Sequence, residues 1–579
     1  MAAPRFTLGA LACALATLAA HAAAADGAPD LVLLHGKIHT QDATRRVVPA
    51  LAVRGNTIVA TGTDADISAL RGPATRTINL AGRTVLPGLI DAHTHPAQGA
   101  QDLGKCNLSD AALSSEQILA QAKACYRANP GDPRHWFEVT QVNPSAVSLS
   151  LADLDSIAGK RPLLLLGSDG HTTWANSAAL AAAHISAASK DPVGGRIERD
   201  AAGRPTGTLR DAASDQLQLA RPAYGLAHQA AQLGRAFAAM RATGLTSVQD
   251  AAVDDATMQI YKRLYDEHRL DMRVRASYTL TDLGAPADAV VAGAIAFRTK
   301  WAVDPDFLRA DAVKIFADGV IEYPSQTAAL LEPYLDASGR PTSNRGPSYF
   351  TQDNLNRIVS AADAAGFTVH IHAIGDRAIR SALDAFAYAR TQQKTDNRDQ
   401  IAHLELINPA DFPRFKQLGV IANFQLQWAV KESYIVGGTL AYLGPERSKY
   451  LYPARSLLDA GAVIAGGSDW NVSTFNAFEA MEHAVTRRAG RGADPLLPEQ
   501  AIPLQVAVDA YTINAAFALK QEASTGSLDA GKRADFIVLD RDIFSIPAFD
   551  LHATRVLATY LDGREVYHAS TKRAAGAAR

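Results

Sequence analysis

Cysteine is scarce in this chain: Cys13, Cys106 and Cys125 are the only three in 579 residues, and no two form a CxxC pair. A cysteine-ligated metal site therefore has little to build on. Net charge is nearly absent as well, at −2, and no long basic run is available to neutralise phosphates, so electrostatic nucleic-acid binding has no support. No internal apolar stretch approaches the ~20 residues that cross a bilayer. The run PLLLLG at 162–167 is of buried-strand length. Short-period repeats are missing, which argues against a solenoid or a propeller. What remains is a globular composition in a chain long enough for one large catalytic domain with a satellite, or for two or three domains.

The N-terminus has its own character. MAAPRFTLGALACALATLAAHAAAAD carries Arg5, an apolar run from about Phe6 to Ala20 and small residues at A-x-A spacing. That is the pattern of a secretory signal peptide, expected over residues 1–25, which places the mature chain in a bacterial periplasm or outside the cell. Cys13 leaves with it. Cys106 and Cys125 then remain as an even pair in an oxidising compartment, and fit either a disulfide or two separate buried thiols.

Residues 26–84 alternate in short segments broken by Gly-Asn and Gly-Arg turns, and the same texture returns at 521–567. Two β-rich ends around a long middle predict one β-sandwich built from both termini, followed by a frayed tail at 568–579. The middle, 85–520, alternates apolar strands with Ala-rich helical stretches. Eight strand candidates stand out: VLPGLIDAHTH, GLTSVQDA, RVRASYTL, DAVKIFADG, FTVHIHA, QIAHLEL, GVIANFQLQ and AVIAGGSDW. Eight parallel strands with intervening helices predict an α/β fold, a (β/α)8 barrel of the TIM type. About 150 residues separate the first two candidates, too many for a plain crossover. An insertion is expected at about 97–240, containing HWFEVTQVN, RPLLLLGSDGH and a hairpin at GGRIERDAAGRPTGTLRD.

Polar residues collect at the C-terminal ends of these strands, where this architecture carries its catalytic groups. Strand one ends in His93 and His95, which share a face because side chains alternate along a strand. Strand four holds Lys314, strand five His370 and His372, strand six His403, and strand eight ends at Asp469. Each alone has a bland reading, such as a core histidine or a helix-capping aspartate. The convergence of all of them points to a metal site.

With these residues in place the chain resembles the amidohydrolase superfamily, and the phrases LPGLIDAHTH, DGHTTWANSAAL, VKIFADG, HAIGDRA, GSDWNVS and GSLDAGKRADFIVLD are similar to its amidohydrolase-3 branch, which includes N-substituted formamide deformylase-like enzymes. The resemblance runs from about 30 to 567. It implies two divalent metal ions, with zinc the default for imidazole and carboxylate donors. His93, His95 and Asp469 would hold the first and His372 and His403 the second. Lys314 would bridge them once CO2 has converted it to a carbamate, since an ammonium cannot ligate a cation. His370 and His372 share a face and either could ligate; the HAIGD phrase favours His372 and leaves His370 behind the ligands or in the core. The implied activity is hydrolysis of a C–N amide-type bond in a small molecule by a metal-bridged hydroxide, with Asp469 as general base and acid. His171 is expected as a second catalytic group touching the substrate or its oxyanion, the alternative being a structural role in the insertion.

Trp174, Asn176, Tyr323, Gln326, Trp470 and Asn471 are candidates for the pocket wall, with plain packing an equal reading for each. Asp376 is read as a helix N-cap and Asp318 as support for the metal ligands. The alternatives are a one-metal deaminase of the same superfamily, whose catalytic Glu would not match Glu405, and an ester or lactone hydrolase on the same site. A secreted binding protein without activity would be expected to have lost ligands. The expected partner is a small amide; a homo-oligomer is compatible with the sequence.

Overall fold

The computed structural model describes residues 27–570 apart from 145–146, 193–194, 282 and 433; the expected signal peptide and the end of the tail lie outside the described residues. All eight expected strands are present: β1 (Leu89–Thr94), β2 (Leu245–Val253), β3 (Arg273–Thr279), β4 (Leu308–Phe316), β5 (Thr368–Ala373), β6 (Gln400–His403), β7 (Ile421–Phe424) and β8 (Ile464–Gly466). They form one parallel sheet in chain order. Strands β1, β5, β6 and β7 are buried along their whole length, because helices cover one face and the barrel interior the other. Their near-continuous apolar runs follow from that double burial.

The barrel closes between β8 and β1. Asp469 N–H donates to His93 O at 2.7 Å, and Asn423 Nδ2 on β7 reaches across to Ala92 O at 2.9 Å. A side chain at Gly467 would put its Cβ 2.7 Å from His93 N, so only glycine lets the backbones approach this closely.

The expected first strand is in fact two. Thr84–Pro87 pairs with Phe536–Leu539 from the C-terminal region, and β1 begins only after Gly88. The sandwich therefore extends past the expected boundary at 84. Its six-stranded sheet joins Lys37–His39, Val47–Val48 and Thr84–Pro87 to Phe536–Leu539, Val556–Leu561 and Arg564–His568. A four-stranded sheet of Leu31–Leu34, Ala50–Arg54, Thr57–Gly62 and Arg76–Asn79 faces it across a core that includes Leu33, Leu51, Val85, Phe536 and Tyr560.

Between β1 and β2 lies a six-stranded sheet with its own core around Val139, Leu154, Leu165 and Trp174. The expected hairpin is there, Gly195–Arg199 against Pro205–Asp211. A disulfide joins Cys106 on its edge strand to Cys125 on the helix Ser115–Ala128.

Candidate metal centre

The C-terminal ends of the barrel strands meet in one buried cluster. Pro96 opens a helix directly after His95, ending β1 where its second histidine leaves the sheet. His93 Nε2 lies 3.2 Å and His95 Nε2 3.1 Å from Asp469 Oδ1. Lys314 on β4 is fully buried, with Nζ 3.5 Å from His93 Nε2. The His372 ring from β5 stands 4.4 Å from that of His403 on β6, and His403 stands 4.7 Å from His93. Among the described residues, donor atoms of His93, His403 and Asp469 all fall within 4.8 Å of one another. The sequence reading assigned His403 to a different ion from the other two. The closed barrel brings donor atoms of all three together at one end.

Hydrogen bonding decides which ring nitrogens are free. His372 Nε2 faces Gly319 O at 3.0 Å, and a carbonyl only accepts, so this nitrogen carries the proton and Nδ1 keeps its lone pair. His95 Nδ1 and His403 Nδ1 are buried without a protein partner. His370 differs: Nε2 meets His93 Nδ1 at 2.9 Å and Nδ1 meets Gln249 Nε2 at 2.5 Å, so both nitrogens are used within the protein. His370 orients His93 from behind.

Burial holds His93 and His403 well below the ordinary imidazole value, with neighbouring charged groups adding to it, and takes His372 down to about 3. Neutral imidazole is the ligating form. Burial also lowers Lys314 to about 7, against the pull of Asp469 and Asp250. Asp469 is the reverse case: burial works against its charge, but the hydrogen bond from His95 and the charges of His403, His95 and Lys314 outweigh it and hold the carboxyl below its usual range. Buried imidazoles with lowered pKa beside an ionised carboxylate, His403 with its Nδ1 unpartnered, fit a divalent cation. Asp318 accepts the amides of Ala329, Ile374 and Gly375 and stands 3.6 Å from His372, at its back.

The cluster faces a cavity of about 400 Å³, which adjoins an outer one of about 1050 Å³ between barrel and insertion. His171 lines both, and its Nδ1 is held 2.8 Å from Asp211 Oδ1. Burial disfavours its charge, yet the Asp211 hydrogen bond and the charges of Asp169, Asp211 and Glu322 raise its pKa above the ordinary value. Asn471 also lines both cavities, with its side chain on Asp102 at 2.5 Å and its carbonyl accepting from Gln141 at 2.6 Å.

The other expected wall residues are elsewhere. Trp174 is buried in the core of the insertion. Asn176 caps the helix Ser177–Ala182, and its amide is spent on Leu163 N, Ala179 N, Gly159 O and Arg161 O. Tyr323 is half exposed and stacks on Tyr442 at 4.6 Å. Trp470 packs edge-on to Phe475 and over Gly99, facing a side cavity. Gln326 lines neither main cavity. Asp376 is the first residue of its helix, Gly375 being the cap, and accepts from Leu331 N at 2.8 Å.

Several residues on the cavity wall escaped the sequence reading, among them Glu322, Glu405, Trp428, Tyr434 and Tyr452. Glu405 had a signal: it lies two residues after His403. Burial, then Glu322, pushes its carboxyl well above the usual range. Trp428 stacks on His403 at 5.7 Å and lies on a 3-10 turn with no motif to mark it.

Comparison with known proteins gives a concordant result. A model described as "Amidohydrolase family" matches residues 76–567. N-substituted formamide deformylase of Arthrobacter pascens is 30% identical over 563 residues, 92% of this chain and 97% of that protein. The Arabidopsis thaliana protein Long After Far-Red 3 is 29% identical over 93% of this chain and 91% of its own length. Among solved structures, an uncharacterised metal-dependent hydrolase of Pyrococcus horikoshii superposes with a TM-score of 0.71 at 23% identity, covering 90% of this chain and 99% of that one. At that identity the likeness speaks for the fold alone.

Proposed function

Because the chain belongs to the amidohydrolase family and is a metal-dependent hydrolase of carbon–nitrogen bonds other than peptide bonds, we propose that it cleaves an amide-type bond of a small molecule with Asp469 as proton carrier. The observation that carries this reading is the buried set of neutral imidazoles around the ionised Asp469, with a near-neutral Lys314 beside them. His93, His95, His372, His403 and Asp469 would hold two divalent ions, zinc by the nature of the donors, with Lys314 as a further ligand once carboxylated. A lysine lowered to about 7 offers a free amine at neutral pH, and its Nζ can form the N–C bond to CO2 while releasing a proton. A divalent ion held by these residues would supply an acidified water, of pKa about 7, and Lewis-acid polarisation of the substrate carbonyl.

The protein's own groups do the rest. Asp469, kept ionised, takes the proton of the attacking water and returns it to the leaving nitrogen. His171 has Nδ1 committed to Asp211, which leaves Nε2 as its other donor, suited to the substrate oxygen as charge develops there. His370 and the Gly319 carbonyl hold the rings of His93 and His372 in place, and Asp318 fixes the backbone behind His372. The deformylase relative favours N-formyl and N-acyl amides as the first compounds to assay. The A-x-A leader at residues 1–25 favours a site of action outside the cytoplasm.

A one-metal reading has one observation in its favour, the close grouping of His93, His403 and Asp469. Elemental analysis of protein purified without chelator separates the two. Two metals per chain are expected, falling to one or fewer with loss of activity in Lys314→Ala; bicarbonate should aid metal reconstitution of the wild type. A fully active Lys314→Ala protein, or one metal per wild-type chain at full activity, overturns the two-metal mechanism.

A further inference from the structure

The wall of the inner cavity is unusually acidic. Besides Asp469 it carries Asp110, Asp169, Glu322, Glu405 and Glu432, while Lys314 is its one lysine and it has no arginine. Two of these acids are occupied locally. Asp110 takes the hydroxyl of Ser168 at 2.5 Å, and Asp169 takes the amides of His171 and Thr172 and the Thr172 hydroxyl. Glu405 is different. It is 2% exposed, the Tyr452 side chain lies beside its carboxyl, and its Oε2 has no hydrogen-bond partner within the protein. Glu322, on the loop after β4, is its strongest charged neighbour, and it too lines the cavity. The outer cavity adds Asp215 and Asp254; its Lys105 and Arg221 are both drawn onto Glu138 at 2.5 and 2.8 Å, and His171, which lines both cavities, is held by Asp211. A route lined mainly by acids raises the local concentration of cationic ligands.

An uncharged alkyl or aryl group seated here would leave the free oxygen of Glu405 buried and unpaired, at a desolvation cost. A protonated amine or guanidinium would satisfy it with a charge-assisted hydrogen bond. Resting on the hydrolase reading of this same site, we propose that the substrate is a cationic amide: a small molecule whose scissile amide faces the histidine cluster and whose remote ammonium or guanidinium group is held by Glu405 and Glu322. The rival role for these acids is to offset the charge of the metal centre, and the test separates the two.

The probes are N-acetyl-1,4-diaminobutane and N-pentylacetamide, which share the amide and differ by an ammonium in place of a methyl group. Equilibrium binding of each to the metal-loaded protein is measured by calorimetry, with hydrolysis followed in the same samples. The expected result is at least tenfold tighter binding of the cationic member, a preference that falls below threefold in Glu405→Gln and in Glu322→Gln at wild-type metal content. The Glu322 variant lies on a partly exposed loop and keeps the test alive should the buried Glu405 variant fail to fold. Equal binding of the two probes, no binding of either, or loss of metal with an unchanged preference overturns the proposal. Equal hydrolysis of both probes leaves the hydrolase reading standing and removes the cationic subsite. Selective binding of the cation without hydrolysis of either probe supports the subsite and weakens the hydrolase reading.

Discussion

His171 and Asp311 show at the level of single residues how partners set the state of a charged group. His171 is tied to Asp211, and replacement by Asn removes its donor without touching the buried cluster. Activity is expected to fall by roughly 10² to 10³, with metal content per chain unchanged; loss of metal instead would mean that His171 acts through the fold. Asp311 is far from the chemistry. Burial opposes its charge, but Arg275, at 2.7 Å, and Arg309 overcome that and lower its pKa from 3.8 to about 2. A carboxyl depressed in the folded state contributes stability above its unfolded pKa, and that contribution is lost as pH falls through the folded value. It amounts to roughly 2 kcal/mol. Urea unfolding of wild type and Asp311→Asn should therefore differ most above about pH 4 and converge toward pH 2. A pH-independent difference would show that the ion pair is not its source.

Among the strands, the seam between β8 and β1 decides the geometry of the centre. His403, Leu404 and Asp469 all have left-handed backbones, with φ of 78°, 57° and 53°. Such conformations cost about 1–3 kcal/mol each and persist only where the surroundings impose them. Here they turn the chain sharply off β6 and β8 at the residues that carry the His403 ring and the Asp469 carboxylate. Gly467, two residues before Asp469, allows the approach. Gly467→Ala would place a methyl 2.6 Å from His93 Cβ, so a loss of about 1–3 kcal/mol is expected from overpacking. Metal binding should weaken with it, since His93 and Asp469 are the residues pushed apart. Thermal unfolding with and without added metal checks both effects, and an unchanged melting temperature would show that the seam is loose.

For the molecule as a whole, the barrel and the terminal sandwich are joined by a buried ionic knot. Arg273 on β3 is 2% exposed and donates to Asp535 at 2.8 Å and Asp562 at 2.5 Å, both on the C-terminal half of the sandwich. Desolvation opposes its charge, but the two aspartates hold its pKa above the usual guanidinium value. Removing one partner leaves the others buried and unpaired, a loss on the order of 3–5 kcal/mol. Arg273→Ala should unfold at lower denaturant concentration and become open to protease at the joint near Gly88. Wild-type resistance in that variant would mean that apolar packing alone holds the two parts together.

The eight barrel strands, the paired β-rich ends and the histidines at the strand ends were readable from the order of the residues. Those features are local: alternation, β-branched runs and turn residues act over a few positions, and a histidine two residues from another shares its face in any strand. Pocket walls are not local. Trp174 and Asn176 sit in a promising motif, yet burial and a capping role claim them. Glu322, Trp428 and Tyr434 reach the cavity from a loop and two short helical turns whose paths no periodicity foretells. The grouping of His403 with His93 and Asp469, the role of His370 behind His93 and the split of the first strand at Gly88 required the closed barrel itself. Each depends on how far β6 and β8 approach β1 and on which strand pairs with Thr84–Pro87, and such long-range distances are decided by packing and backbone hydrogen bonds formed only when the chain is folded.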